Sequence, residues 1–170
     1  MEMNAGCCVV RSWRYADLPS LVENANNPKI WRAVRDQFPS PYTPDAAERW
    51  LNFVSLQRPE TNFAISVGGK SVGGIGLVIH HDIHRLTAEL GYWLGEKFWG
   101  AGIMSAAVAA FTGHAFSAYG LVRIYAHVFD WNLASARVLE KSGYTLEARL
   151  CKGAYKEGKV IDELLYAAVR

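Results

Sequence analysis

The chain has 170 residues, with 51% hydrophobic and 20% charged residues. That is the size and balance of an ordinary globular domain that can bury a core without staples. A net charge of +2 with scattered Lys and Arg argues against direct nucleic-acid binding, and no apolar run reaches the length of a membrane span. The opening "MEMNAG" lacks the basic-then-apolar pattern of a secretory signal. The three cysteines, Cys7, Cys8 and Cys151, have neither metal-ligand nor C-x-x-C spacing. The expectation is a cytoplasmic protein with reduced thiols.

In chain order, "CVVRSWR" (Cys8 to Arg14) alternates as a first strand. Asp17 then stands where a helix cap belongs, before Leu18, Leu21, Val22 and Ala25 on one helical face. "NNPKIWRAVRDQFPSPY" predicts a turn, a short helix and a Pro-punctuated loop. Thr43 and Pro44 open the next helix, with Ala47, Trp50, Leu51 and Val54 in one stripe. "NFAISVGGKSVGGIGLVI" predicts two strands about a glycine turn, "HHDIHR" a polar connection, and "LTAELGYWL" a further strand. After a glycine loop the period becomes helical, with Met104, Ala107, Val108, Phe111 and Ala115 on one face. "GLVRIYAHVF" is a strand, Asn132 to Lys141 a helix stopped by Gly143, and two strands close the chain, Tyr144 to Leu150 and Val160 to Val169. This order predicts a single α/β or α+β domain over residues 1–170 with a mixed sheet.

Two glycine loops compete for attention. "AISVGGKS" (Ala64 to Ser71) ends like a P-loop, but the next residues, "VGGIGLVI", are glycine-broken and β-branched, and the motif's first glycine is Ala64. It reads as a hairpin turn. The second loop, "GYWLGEKFWGAGIMSAA" (Gly91 to Ala107), has a strand before it and a helix after it. Gly100 and Gly102 would let main-chain N–H groups face an anion at a helix N-terminus. A plain structural turn accounts for the pattern equally well.

Taken together, "ELGYWLGEKFWGAGIMSAAV" and "NLASARVLEKSGY" resemble the acetyl-CoA-binding core of the GNAT superfamily of N-acetyltransferases. More narrowly they resemble the RimJ/RimL branch, which acetylates ribosomal-protein N-termini. Lys97-Phe98-Trp99-Gly100-Ala101-Gly102 is similar to the family's pyrophosphate loop, with Lys in the place of Gln or Arg. Asn132 and Ser135, then Lys141, Gly143 and Tyr144, follow the branch's next helix, and "FPSPYTPDAAERW" is also similar to it. The resemblance implies a single GNAT-like domain with a mixed, mostly antiparallel seven-stranded sheet, splayed in the middle and covered by helices on both faces. It implies acetyl-CoA as donor, coenzyme A as product, and direct transfer in a ternary complex to a primary amine, a protein N-terminal α-amine first.

The resemblance also implies site roles. Gly100, Ala101, Gly102, Ile103 and Met104, with Lys97 and Trp99, would hold the pyrophosphate. Tyr92, Trp93 and Leu94 would line the pantetheine arm, with an N–H near Tyr92 or Trp93 facing the oxyanion. Asn132 would cap its helix and contact the pantetheine, and Lys141 belongs to the same coenzyme set. Glu89 is the candidate base, or else a surface carboxylate in a salt bridge. Ser135 is the candidate acid beside the coenzyme sulfur, or else a first-turn serine bonded to backbone; the wider superfamily's tyrosine position is Leu139 here. Trp31, Phe38, Tyr42, His81 and Glu147 are candidates for the acceptor side, and the first three read equally as core. Tyr144 reads as packing rather than as an acid, and His114 and His127 read as packing or surface. His80 and His84 are four apart, but in a loop rather than on a helix, so no metal site is expected. Other acceptors (a polyamine, amino acid or antibiotic) and a non-catalytic coenzyme A-binding module remain open, as does a homodimer.

Overall fold

A computed structural model describes residues 1–170. Eight strands and five α-helices alternate along the chain: β1 Glu2–Asn4, β2 Val9–Ser12, α1 Leu18–Ala25, α2 Pro28–Trp31, α3 Pro44–Leu56, β3 Asn62–Val67, β4 Lys70–Ile79, β5 Thr87–Leu94, α4 Ile103–Ala118, β6 Arg123–Phe129, α5 Leu133–Lys141, β7 Thr145–Lys156 and β8 Lys159–Val169. The strands form one mixed sheet in the order β1-β2-β3-β4-β5-β6-β8-β7. The pairs β1–β2, β2–β3, β3–β4, β6–β8 and β7–β8 are antiparallel, while β5–β6 is parallel. No helix is long and apolar enough to cross a membrane.

The sheet has one strand more than expected. The extra strand is β1, three residues with a single apolar side chain, Met3, too short to carry a visible alternation. It pairs Met3 with Val10 on the sheet edge. The closing hairpin is also longer than expected. β7 runs on through "CKGAYK", across register shifts at Leu146/Ala148 and Leu150/Ala154. The second shift is secured by Asp162, which accepts from the Lys152 N–H at 2.8 Å and from Arg149 Nε at 2.7 Å. Bulges of this kind bend a strand without ending it.

The chain divides into two compact units, Met1–Gly76 with Tyr92–Ala107, and Leu77–Gly91 with Val108–Arg170. The boundaries fall inside β4, β5 and α4. In the first unit, Leu21 and Ala25 of α1 and Ala46, Ala47 and Leu51 of α3 form a buried cluster with Tyr42, and Trp13, Leu18, Val22, Phe38, Trp50 and Trp93 pack on it. These are the predicted apolar faces. Thr43 caps α3 by accepting from the Ala46 N–H at 3.2 Å. The β3–β4 hairpin turns through Gly68 (φ 56°) and Gly69 (φ 82°), a conformation that two-residue hairpins take at glycine. The P-loop look-alike is therefore a turn, and Ser71 is buried with its hydroxyl bonded to Ser20 at 2.6 Å.

Asp17 does not cap α1 through its side chain. Its carboxylate turns to Arg11 of β2 in a two-pronged pair, Nη2–Oδ1 2.7 Å and Nη1–Oδ2 2.8 Å, and also accepts from the Arg14 N–H at 2.9 Å. Both side chains are about 95% buried, at 5% and 6% exposure. An arginine on the core side of β2 requires such a partner, because an unpaired buried charge is costly.

In the second unit, Ile124, Ala126 and Val128 give β6 a buried face, joined in the core by Val108, Phe111, Ala115, Leu139, Tyr144 and Tyr166. Asn132 caps α5, accepting from the Ser135 N–H at 3.3 Å, and Gly143 (φ 86°) follows its last turn.

Candidate active site

In the first unit the second glycine loop has the predicted context. β5 ends at Leu94, and the Gly95 N–H donates to Val72 O at 2.8 Å. A 3-10 turn, Glu96–Phe98, carries the chain away, and Trp99 Nε1 folds back to donate to Leu94 O at 2.7 Å. Gly100 and Gly102 both stand at φ 76°, where L side chains are strained, although a Cβ on either would meet nothing within 4 Å. Backbone conformation requires glycine here, while the space beside it is open. Gly100, Ala101 and Gly102 are exposed, and the 16-residue α4 begins at the next residue. The first-turn N–H groups of such a helix have no intrahelical partner and favour an anion.

Lys97 pairs its ammonium with Glu23 Oε1 at 2.8 Å. Glu96 accepts from Asn27 Nδ2 at 2.7 Å and pairs closely with Lys29, and the hydrogen bonds from Lys29 and Asn27 hold its carboxyl below the usual range. The loop's entry is thus tied to α1 and to the start of α2.

Tyr92, Trp93 and Leu94 end β5 in the same unit. Trp93 meets Phe38 edge-on at 5.6 Å, and Phe38 lies 4.9 Å from the Tyr42 ring. Tyr42 is 5% exposed and belongs to the buried cluster, and burial pushes its phenol up to about 12. Phe38 and Trp31 are half-buried, Trp31 at the end of α2. The glycines of β4 have a steric role. A Cβ on Gly73 would fall 2.4 Å from Trp93 O, and one on Gly74 2.7 Å from Trp93 Nε1.

In the second unit, Glu89 is the last β5 residue of the parallel ladder, opposite Tyr125 of β6. Its carboxylate Oε1 lies 3.4 Å from Nδ1 of His127, with the side chains 15% and 29% exposed. His127 had read as packing or surface, and the structure instead sets it against the candidate base. The signal was present in "RIYAHVF", whose alternation puts Arg123, Tyr125 and His127 on one face. It could not be used without knowing that β6 runs beside β5. On the same face, His80 Nε2 and the Tyr125 hydroxyl share a hydrogen bond of 2.7 Å. His80 therefore serves a tyrosine, while His81 is exposed and opens the 3-10 turn Asp82–His84.

Ser135 is half-buried in the first turn of α5, its N–H on the Asn132 cap, and Lys141 is exposed in the last turn. Glu147 occupies the first register shift of β7 and forms a forked pair with Arg123, one arm at 2.7 Å. That hydrogen bond holds the Glu147 carboxyl below its ordinary range. Tyr144 is buried, shares a hydrogen bond of 2.8 Å with Thr112 Oγ1, and has its phenol pushed up to about 12 by burial, which suits packing.

A mixed sheet, a strand that runs through a glycine loop into a long helix, and an Asn-capped later helix are the features the comparisons match. The acetyltransferase (GNAT) domain matches residues 8–145, and the chain belongs to that family, whose members use acetyl-CoA. It is 36% identical over 99 residues to an uncharacterised N-acetyltransferase, YoaA, of Bacillus subtilis strain 168, covering 58% of this chain and 55% of the relative. It is 33% identical over 97 residues to the ribosomal-protein-serine acetyltransferase of Escherichia coli K12, covering 56% and 54%. The chain thus spans about half the length of these two relatives. Among solved structures, Mycobacterium smegmatis RimJ in complex with CoA-disulfide superposes with a TM-score of 0.86 at 24% identity, covering 99% of this chain and 86% of that one. RimL, the ribosomal L7/L12 α-N-protein acetyltransferase in complex with coenzyme A, gives 0.85 at 20% identity, covering 99% and 98%.

Proposed function

We propose that this protein is an acetyl-CoA-dependent N-acetyltransferase that passes the acetyl group directly, in a ternary complex, to a protein N-terminal α-amine. The observation that carries the reading is the loop at Gly100 and Gly102, open on its glycine side and leading into α4. Main-chain N–H groups from Gly100 to Met104 suit the pyrophosphate, with Trp99 and Lys97 beside them. The end of β5, Tyr92 to Leu94, offers backbone to the pantetheine and an N–H to the developing oxyanion. Asn132 and Lys141 of α5 complete the coenzyme contacts.

Glu89 takes the proton from the acceptor ammonium, which otherwise has no lone pair to attack with. Ser135 gives a proton to the departing thiolate and is reprotonated from water. The acceptor is approached by Trp31, Phe38, His81 and Glu147. The α-amine reading is supported by the ribosomal-protein acetyltransferases among the similar chains. Homodimer formation is tested by sedimentation with and without coenzyme.

The test is calorimetric titration with acetyl-CoA, coenzyme A and ATP, then thiol release against peptides with N-terminal Ser or Ala, spermidine, amino acids and an aminoglycoside. Binding with release on peptides supports the proposal. Release only on small amines moves the acceptor, and no coenzyme binding overturns the reading of the glycine loop.

Two variants sharpen it. Gly102→Val forces a β-branched residue into a left-handed conformation, at about 1–2 kcal/mol. Acetyl-CoA affinity is expected to fall roughly tenfold or more by calorimetry. Ser135→Ala is expected to lower kcat by about 10–100-fold while leaving coenzyme affinity nearly unchanged. Unchanged turnover would remove Ser135 from the mechanism.

A further inference from the structure

We propose that His127 is the proton acceptor behind Glu89, so that the base of the reaction is a carboxylate–imidazole relay rather than a lone carboxylate. This rests on the acetyl-transfer reading above. Both residues lie in one compact unit, on neighbouring strands, with Nδ1 of His127 3.4 Å from Oε1 of Glu89.

The chemistry of the acceptor gives the pair its purpose. An α-ammonium ionises near ~7.7–8.0, an ordinary glutamate near ~4.3 and an imidazole near ~6.5. A lone carboxylate is therefore about three and a half units too acidic to keep the proton it removes, whereas an imidazole comes within about one and a half. In the relay, a Glu89 oxygen takes the proton as the N–H bond of the ammonium breaks. The carboxyl passes it to Nδ1 of neutral His127, whose other proton is on Nε2. The imidazolium then loses its Nε2 proton to water, Glu89 is an anion again, and proton exchange with water returns the ring from the Nδ1–H to the Nε2–H tautomer before the next cycle. His127 is the more exposed of the two side chains, 29% against 15%, as the outer member of such a chain must be.

The surroundings hold the ring in place. The Tyr125 ring meets His127 at 5.5 Å and 61°, and Tyr125 is itself fixed by its hydrogen bond to His80. The neighbouring strands bring further charged and titratable groups to this face. β5 supplies Glu89, β4 is followed directly by His80, and β6 itself carries Tyr125 and Arg123. β8 places Glu163 opposite Phe129, and β7 supplies Glu147. Arg123 would oppose a charge on His127, and its forked pair with Glu147 offsets it.

Two measurements test the relay. The first is an NMR titration of the His127 ring in the wild type and in Glu89→Gln, which needs no turnover. A carboxylate this close favours the imidazolium, so the variant should titrate about one unit lower. An unchanged titration overturns the pairing. The second is kcat against pH with a peptide acceptor bearing N-terminal Ser. His127 must be neutral to accept, so wild-type kcat should fall as pH drops through the imidazole range. In His127→Gln, kcat should fall about 10–100-fold and lose that limb, and added imidazole should restore part of the rate in His127→Gly. Wild-type kcat and an unchanged profile in His127→Gln overturn the relay, as does a loss that imidazole does not relieve. A wild type that acetylates no amine overturns the transferase reading instead, while the titration still decides whether the pair exists.

Discussion

Glu89→Gln is expected to lower kcat by roughly 10²–10⁴-fold with acetyl-CoA affinity intact, the ordinary scale of a lost general base. The substitution keeps size and hydrogen-bonding shape and removes only the capacity to take a proton. It does not touch the glycine loop, so calorimetry with acetyl-CoA should give the wild-type affinity while thiol release collapses. The alternative role, a carboxylate that merely pairs with His127, predicts a different result. A partly exposed ion pair contributes about 1 kcal/mol or less, so its loss would shift the unfolding midpoint slightly and leave kcat alone. Measuring turnover, coenzyme affinity and urea unfolding on one preparation separates the two roles.

Asp17→Ala should destabilise the protein by about 3–5 kcal/mol, because it strands the Arg11 guanidinium in a buried position. Against a typical stability of about 5–15 kcal/mol this is a large fraction. The Arg14 N–H loses its acceptor at the same time. Urea denaturation followed by far-ultraviolet circular dichroism checks it, with a lower midpoint and an unchanged slope. Replacing both partners, Arg11→Met with Asp17→Leu, should recover much of the loss, since no charge is then left buried.

Residues 43–56 and 103–118 were legible because their apolar spacing, caps and glycines agree with one another. The same agreement made the loop at Gly100 and Gly102 visible, and the likeness to acetyltransferases rested on its spacing from Asn132 and Ser135. What escaped was whatever depends on strand neighbours. Asp17 has the position of a cap and the job of a counter-ion, because Arg11, six residues earlier on the predicted first strand, is buried beside Val10, which strand alternation does not foretell. His127 looked ordinary because only the parallel pairing of β5 with β6 brings it to Glu89. β1 was missed because three residues carry no period, and β7 was cut short because the register shift between Leu150 and Ala154 interrupts the strand alternation.

The two adjacent glycines of β4 set a limit on how this protein can diverge. Gly73 and Gly74 lie against the main chain and indole of Trp93, on the strand end proposed to receive the coenzyme arm. Any side chain at Gly73 pushes on that strand's backbone, and one at Gly74 displaces an aromatic ring that meets Phe38. New acceptor preferences should therefore arise at Phe38 and in the loop around it. In a library randomised across both regions, survivors should vary freely at Phe38 and keep glycine at residues 73 and 74.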